Sequence, residues 1–363
     1  MVAPLRFRGS NCLRQRIILS LLTGRSVIIE DIRVGEEETL LEYELNFIEL
    51  IKTITSGTKV QLSTGRVHFT PGTILGGQIT HDCNKSRGIS YYLEALLYLA
   101  PFCKTPFNAT LTGVTNEQID PSVDSLKASA LPLIKRFLGD VEGTKLEIKV
   151  TARGFKPGGG GKVEFTCPVV RQLNPVQITE SGKVKRVRGV AVAARVSPQM
   201  ANRLIDTSKG QLLKFLPDVY IYSDHTKGKS SGQSPGFSIS LSAETIEGCS
   251  YTASAVSNHK GSGLGPTVPE DLAKEATMLL YEEIRRGGCV DSICQGLALV
   301  LMAFNQKDVS TIKFGALTTY TILLLRHLKE FCGITFKLET GQENEVTASC
   351  AGIGYKNLSK PSY

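Results

Sequence analysis

Short runs rich in β-branched residues alternate with amphipathic helical segments along this chain, and one stretch in its middle carries a second such set. Residues 26–33, 59–63, 109–114 and 145–152 read as strands, and residues 13–22, 40–54, 89–99 and 123–137 as helices. That alternation specifies α/β units. Residues 185–287 hold their own strands, at 189–196, 218–222, 236–242 and 250–255. Two helices there have marked starts: Ser197-Pro198 sets a hydroxyl before a proline, and Thr267 with Glu270 has capping-box spacing. After residue 288 the first pattern resumes, with helices at 289–304 and 319–331 and strands near Thr335 and Val346. A smaller α/β domain at 185–287, inserted between the large-domain parts 1–184 and 288–363, accounts for this order.

At 363 residues the chain can bury two cores without metal or disulfide staples. Nine cysteines, odd in number and never in a CxxC pair, fit a reducing compartment. The longest apolar run, 297–304, is far below the roughly 20 residues of a bilayer span, so no membrane span and no signal peptide are expected. The five histidines are scattered without metal-ligand spacing, so no metal is expected.

Four local features carry possible chemistry. Pro157 leads into Gly158, Gly159, Gly160, Gly161 and Lys162 between two strands, a sequence able to turn tightly or to bring backbone amides onto a phosphate. It is no Walker loop, because Val163 follows the lysine and no helix follows the loop. Residues 226–235 and 258–266, rich in Gly, Ser and Lys, read as flexible loops. Lys183, Lys185, Arg186 and Arg188 form a basic run, read either as a solvated edge strand or as a phosphate-contacting RNA face, the latter in keeping with a net charge of +8. Arg326, His327 and Lys329 cluster near a helix end, where cations suit the dipole. His81-Asp82-Cys83 reads as a turn before a helix, since three adjacent residues cannot hydrogen-bond in series as a triad does.

Leu13-Arg14 ahead of Leu19-Ser20-Leu21-Leu22-Thr23-Gly24, Gly113-Val114-Thr115-Asn116 with Pro121 and Asp124, Arg153 through Gly161, and Cys289-Val290-Asp291 before Leu301-Met302-Ala303 together resemble the RNA 3'-terminal phosphate cyclase family, over about residues 7–353. Val187-Arg188-Gly189, Ser197-Pro198 through Asn202, Ser234 through Phe237 and Arg285 through Asp291 bring it nearer the eukaryotic cyclase-like branch, nucleolar factors of ribosome assembly. The resemblance implies three repeated βαβ-type units, each a four-stranded sheet with two helices, interrupted by the inserted domain. In cyclases of this family a histidine takes up the adenylate; the matching position is Tyr320. A phenol with pKa near 10 is a far poorer nucleophile at neutral pH than imidazole. Phe7, Asn11, Ser125, Ile293 and Gly296 likewise replace the acidic, polar, aromatic and carboxylate positions that hold nucleotide in the family.

The resemblance therefore implies a non-cyclising protein with no cofactor. Arg14 and the turn of Gly159, Gly160 and Gly161 are retained, and one guanidinium with backbone amides is enough for a tetrahedral anion. Implied partners are a nucleolar GTPase of the small-subunit processome, met by Arg326 and Lys329, and precursor rRNA or a small nucleolar RNP. The rival reading is an endoribonuclease using Arg326, His327 and Lys329, or a residual cyclase.

Overall fold

A computed structural model describes residues 3–33, 35, 39–139, 145–341 and 344–358. The first unit runs β1 (Leu5–Arg8), α1 (Leu13–Thr23), β2 (Val27–Glu30), α2 (Glu42–Ile54), a short β3 (Thr55–Ser56), β4 (Lys59–Ser63), β5 (Arg66–Thr70) and a short β6 (Thr73–Ile74) that pairs with β3. The second runs β7 (Gly76–Asp82), α3 (Ile89–Leu99), β8 (Thr105–Gly113), α4 (Val123–Leu138), β9 (Glu147–Ala152) and β10 (Gly161–Cys167). The third opens with β11 (Gln177–Ile178). It is then interrupted by β12 (Val184–Ala194), α5 (Gln199–Leu212), β13 (Val219–Thr226), β14 (Gly236–Thr245), β15 (Ser250–Val256) and α6 (Pro269–Arg286). It resumes with α7 (Gln295–Ala303), β16 (Val309–Phe314), α8 (Thr319–Cys332), β17 (Lys337–Thr340) and β18 (Val346–Ala351).

The strand orders β1-β2-β5-β4, β7-β8-β10-β9 and β11-β16-β18-β17 are one topology written three times. In each sheet the first two strands are parallel across a helix and the remaining pairs are antiparallel. A fold of mixed α/β class with threefold internal repetition follows. The interrupting segment makes its own sheet, β13-β12-β14-β15, with α5 and α6 on one face over a core of Val187, Ala191, Leu204, Ile239 and Leu280. Helices α1, α3, α7 and α8 pack together inside the large body.

Local chemistry explains where several helices begin and end. Ser122 caps α4 by accepting from the Ser125 amide at 3.0 Å, and Thr318 caps α8 by accepting from the Thr321 amide at 3.1 Å. Gly24 and Gly333 take left-handed φ of 69° to end α1 and α8, a conformation that penalises a Cβ.

Other expectations need correction. Thr267 and Glu270 form no capping box: the Thr267 hydroxyl accepts from the Asn258 amide at 2.8 Å, and Glu270 pairs with Arg203 at 2.6 Å. The helix expected over 289–304 starts only at Gln295, because the Cys289 amide first bonds the Lys313 carbonyl. His81 and Asp82 lie at the end of strand β7, with the turn following them. Loop 226–235 is tied down at both ends, Ser230 accepting from the Arg153 amide at 2.9 Å and Gln233 donating to the Gly159 carbonyl at 3.0 Å.

Candidate functional site

Where α1, α3, α7 and α8 converge, the chain has filled its own centre. Arg14 on α1 donates to the Tyr91 carbonyl at 2.7 Å, to Glu94 at 2.5 Å and to the Tyr320 hydroxyl at 3.3 Å, with its guanidinium 4.5 Å from the Tyr91 ring centroid. Gln15 beside it donates to the Tyr320 carbonyl at 3.0 Å. Burial works against the Arg14 charge, and Glu94 and Tyr320 more than offset it, so the pKa rises. Burial pushes the Tyr320 phenol up despite Arg14, which keeps it protonated and non-nucleophilic. The same desolvation raises Glu94, with Arg14 pulling it back.

Gly296 on α7 closes the other wall. A Cβ there would stand 2.8 Å from the Tyr98 hydroxyl and 3.1 Å from Leu324, so the position that carries a carboxylate in the resembled cyclases has no room for one. The Tyr98 phenol is itself pushed well up by burial.

The remaining substituted positions do not share this pocket. Phe7 is core, stacked on Phe331 at 5.7 Å, edge-on to His327 at 5.3 Å and under the Arg16 guanidinium at 4.7 Å. That places it roughly two turns along α8 from Tyr320. Asn11 is exposed, and Ser125 is buried beside Ser122 at 2.9 Å in the first turn of α4. Ile293 lines a separate cleft of about 720 Å³ among Glu117, Asp120, Glu275, Glu282 and Glu283. Most of these carboxylates are paired, Glu117 with Lys156, Asp120 with Arg87, and Glu282 and Glu283 with Arg286.

The anion site expected from Arg14 with Gly159, Gly160 and Gly161 is corrected on two counts. Arg14 is neutralised by Glu94, and the glycine turn lies elsewhere, beside Gly113, Lys85 and Gly232. Its glycines are used within the fold: the Gly159 amide donates to the Phe155 carbonyl at 2.8 Å, the Gly158 amide to the Ser234 hydroxyl at 2.8 Å, and Gly161 lies in the β10–β8 ladder. A Cβ on Gly232 would overlap the Gly159 carbonyl.

The basic run is corrected as well. Strand β12 is central, flanked by β13 and β14, so it protects no edge. Alternation puts Arg186 and Arg188 on one face, and Lys185 falls where the register with β14 shifts. Arg186 pairs with Glu244 at 2.6 Å and Arg188 grips Asp218 through two bonds of 2.8 and 3.0 Å, leaving Lys183 and Lys185 as exposed cations. Four cations within a six-residue stretch therefore make no single patch.

On α8, Arg326 and Lys329 are exposed on one face with Ile322, while His327 points inward. Its Nδ1 lies 3.0 Å from Gln15 and its Nε2 is 3.4 Å from Arg16. Burial and then Arg16 hold His327 down to about 4, so it is neutral at physiological pH. The imidazole is thus withdrawn from the surface that a nuclease reading requires.

Sequence reasoning missed the acid that completes the centre and the clamp between the two parts of the molecule. Tyr91, Glu94 and Tyr98 recur at helical spacing in an otherwise apolar helix, and a lone carboxylate there was the available signal. Arg153 bridges Asp124 on α4, at 2.5 and 3.1 Å, to Asp224 on β13, at 2.8 Å. Thr252 of the small sheet donates to buried Asp291 at 2.8 Å, and burial pushes that carboxyl up to about 7. No local pattern announces either contact.

Fold and site together define a three-repeat α/β protein with an inserted domain and a centre sealed by its own side chains. The model of the RNA 3'-terminal phosphate cyclase family matches residues 5–338, and the chain belongs to that family. It is 51% identical over 366 residues to the RNA 3'-terminal phosphate cyclase-like protein of Homo sapiens, covering 98% of this chain and 97% of the relative. It is 49% identical over 372 residues to the probable cyclase-like protein of Drosophila melanogaster, with coverage of 98% and 96%. A third relative, 40% identical over 363 residues at 98% and 97% coverage, is the rRNA processing protein rcl1 of Schizosaccharomyces pombe.

Proposed function

We propose that this chain is a non-cyclising member of its family that acts in rRNA processing as a binding and assembly factor, in the nucleolus and within the small-subunit processome. The observation that carries the reading is the ion pair of Arg14 and Glu94 with the half-buried Tyr320 phenol, which fills the place where a cyclase needs a free nucleophile. The Gly296 contact with Tyr98 removes a second requirement. The name of the fission-yeast relative supplies the process.

Within that role the face of Ile322, Arg326 and Lys329 is the docking surface for a GTPase partner. Residues 322, 326 and 329 fall on one helical face, joining an exposed apolar side chain to two cations that form no ion pair among the described residues. An acidic partner segment suits it, since arginine makes bidentate carboxylate bonds. Replacing the protein in cells by the Arg326→Glu, Lys329→Glu variant should release it from the particle and stall early precursor cleavages, with rescue by excess partner. Tyr320→Phe should process normally. Normal particle association of the charge-reversed variant together with abolished cleavage would defeat docking and revive the nuclease.

A further inference from the structure

The inserted sheet has one face packed under α5 and α6 and one face turned toward the large body. Helix α4 covers only the β14 and β15 half of that second face. On the β12 and β13 half, Phe155 packs on Val190, Val192 and Ala194 and Arg153 pairs with Asp224, while the end carrying Arg188 and Tyr222 stays open and with the flank of α4 bounds a groove of about 640 Å³. That size lies within the roughly 300–1,000 Å³ of ligand-binding pockets.

The walls of this groove are unlike those of the cleft around Ile293, where each of Glu117, Asp120, Glu282 and Glu283 has a cationic partner. From α4 come Lys127, Leu131 and Lys135, one turn apart along the helix, and from the sheet come Arg188, Tyr222 and Ser242. Lys127 and Lys135 are exposed and form no ion pair among the described residues. The carboxylates at the groove already face guanidinium groups, Asp124 meeting Arg153 and Glu244 meeting Arg186. What remains unneutralised is positive.

Beside Tyr222 on the same strand face stands Tyr220. Ile221 between them is buried in the small core, so strand alternation turns both rings outward, and they are 51% and 55% exposed. The two rings meet edge-on at 4.5 Å, and the Lys209 ammonium sits 5.8 Å from the Tyr220 centroid. Large exposed aromatics on an open sheet face, next to unpaired lysines, are the parts from which single-strand binding is built: bases stack on rings while cations follow the backbone. An acidic peptide would use the lysines but has no need of two exposed rings.

We infer that the groove between α4 and the β12–β13 face binds single-stranded RNA, with Tyr220 and Tyr222 stacking on bases and Lys127 and Lys135 meeting phosphates. Hydroxyls of Ser242 and Ser250 on the floor are placed for base edges or the ribose 2'-hydroxyl. The inference deepens the proposed role in rRNA processing, by giving it a direct RNA contact at a place distinct from both the sealed centre and the α8 face.

The test is fluorescence anisotropy of the full chain with labelled oligouridine of about ten nucleotides, the length range of one single-strand site. Duplex RNA and a polyglutamate peptide are run in parallel. The expected result is binding of the single strand in preference to the duplex, weakened about tenfold or more by Tyr220→Ala, Tyr222→Ala and retained by Tyr220→Phe, Tyr222→Phe. Lys127→Ala, Lys135→Ala should lower the slope of log affinity against log salt by about 1.4, the sum for two phosphate contacts. Circular dichroism melting checks that each variant folds. Affinity unchanged in the alanine variants, equal binding of duplex, or binding of polyglutamate in place of RNA would each overturn the inference. Failure of the RNA assay leaves the assembly role standing. Groove-dependent RNA binding in a protein dispensable for early cleavages would instead remove the assembly role and leave the groove.

Discussion

The sealed centre and the open groove lie at the two ends of one design problem, the placing of charge. At the centre the polar groups meet inside the chain, with only the Arg14 Nε left without a hydrogen bond among them: Arg14 has Glu94, and the Tyr320 hydroxyl and carbonyl have Arg14 and Gln15. In the groove Lys127 and Lys135 have none, and two tyrosine rings stand in water. A buried group without a partner costs several kcal/mol, so a centre that holds no ligand must satisfy itself. An exposed group without a partner costs little and stays available. The difference teaches where to look for function in a family member whose central pocket is filled by its own side chains: away from that pocket, at the unpaired surface.

The largest expected effect lies at the centre. Glu94→Leu strands the Arg14 guanidinium in the core and should lower stability by about 3–5 kcal/mol in urea unfolding, whereas Arg14→Met combined with Glu94→Leu should recover most of it. If the double variant is as damaged as the single, the pair is not self-contained and the contrast with the groove weakens.

Next is Asp291, whose folded pKa is raised to about 7 from an ordinary 3.8. Between those values the folded state keeps a proton that the unfolded chain has released, so stability falls as pH rises through the window and levels off above it. His327 acts oppositely: lowered to about 4 from 6.5, it loses stability as pH falls between those values. Asp291→Asn removes the first effect. The variant should gain on the parent by about 2 kcal/mol between pH 5 and pH 7, read from denaturant midpoints across pH.

A smaller effect is expected at Gly296. Gly296→Asp drives a carboxylate against Tyr98 and Leu324 and should cost about 1–3 kcal/mol, without creating ATP affinity. A variant of unchanged stability that binds ATP in calorimetry would mean that the centre opens easily.

How far the sequence foretells this protein differs between its parts. Helices with strong periodicity, such as α3 and α8, are legible almost to the residue, because a long apolar stripe and a cap are local signals. Strands β1, β7 and β16 pass unnoticed, since four to seven residues flanked by glycine carry little period and their pairing is long-range. At the site, the tyrosine that the resemblance aligns with the family's histidine, Tyr320, is visible in the sequence. The ion pair beside it joins positions 80 apart in sequence, and the groove exists only when β12 and β13 are laid beside α4, so neither leaves a trace in any one segment. The glycine turn misled because glycines that admit a phosphate also admit another backbone, and here Gly232 is the visitor.

The central claim is that this centre no longer performs the family's chemistry, and labelled ATP tests it most directly. The parent protein and Tyr320→His are each incubated with ATP labelled at the α-phosphate, magnesium and a 3'-phosphorylated RNA, then separated on a denaturing gel. The account predicts no covalent label on either protein and no cyclic phosphate on the RNA. The restored imidazole would still face Arg14 paired to Glu94 and the Tyr98 wall at Gly296. A covalent adenylate on the parent protein, or cyclisation rescued by Tyr320→His alone, would contradict it.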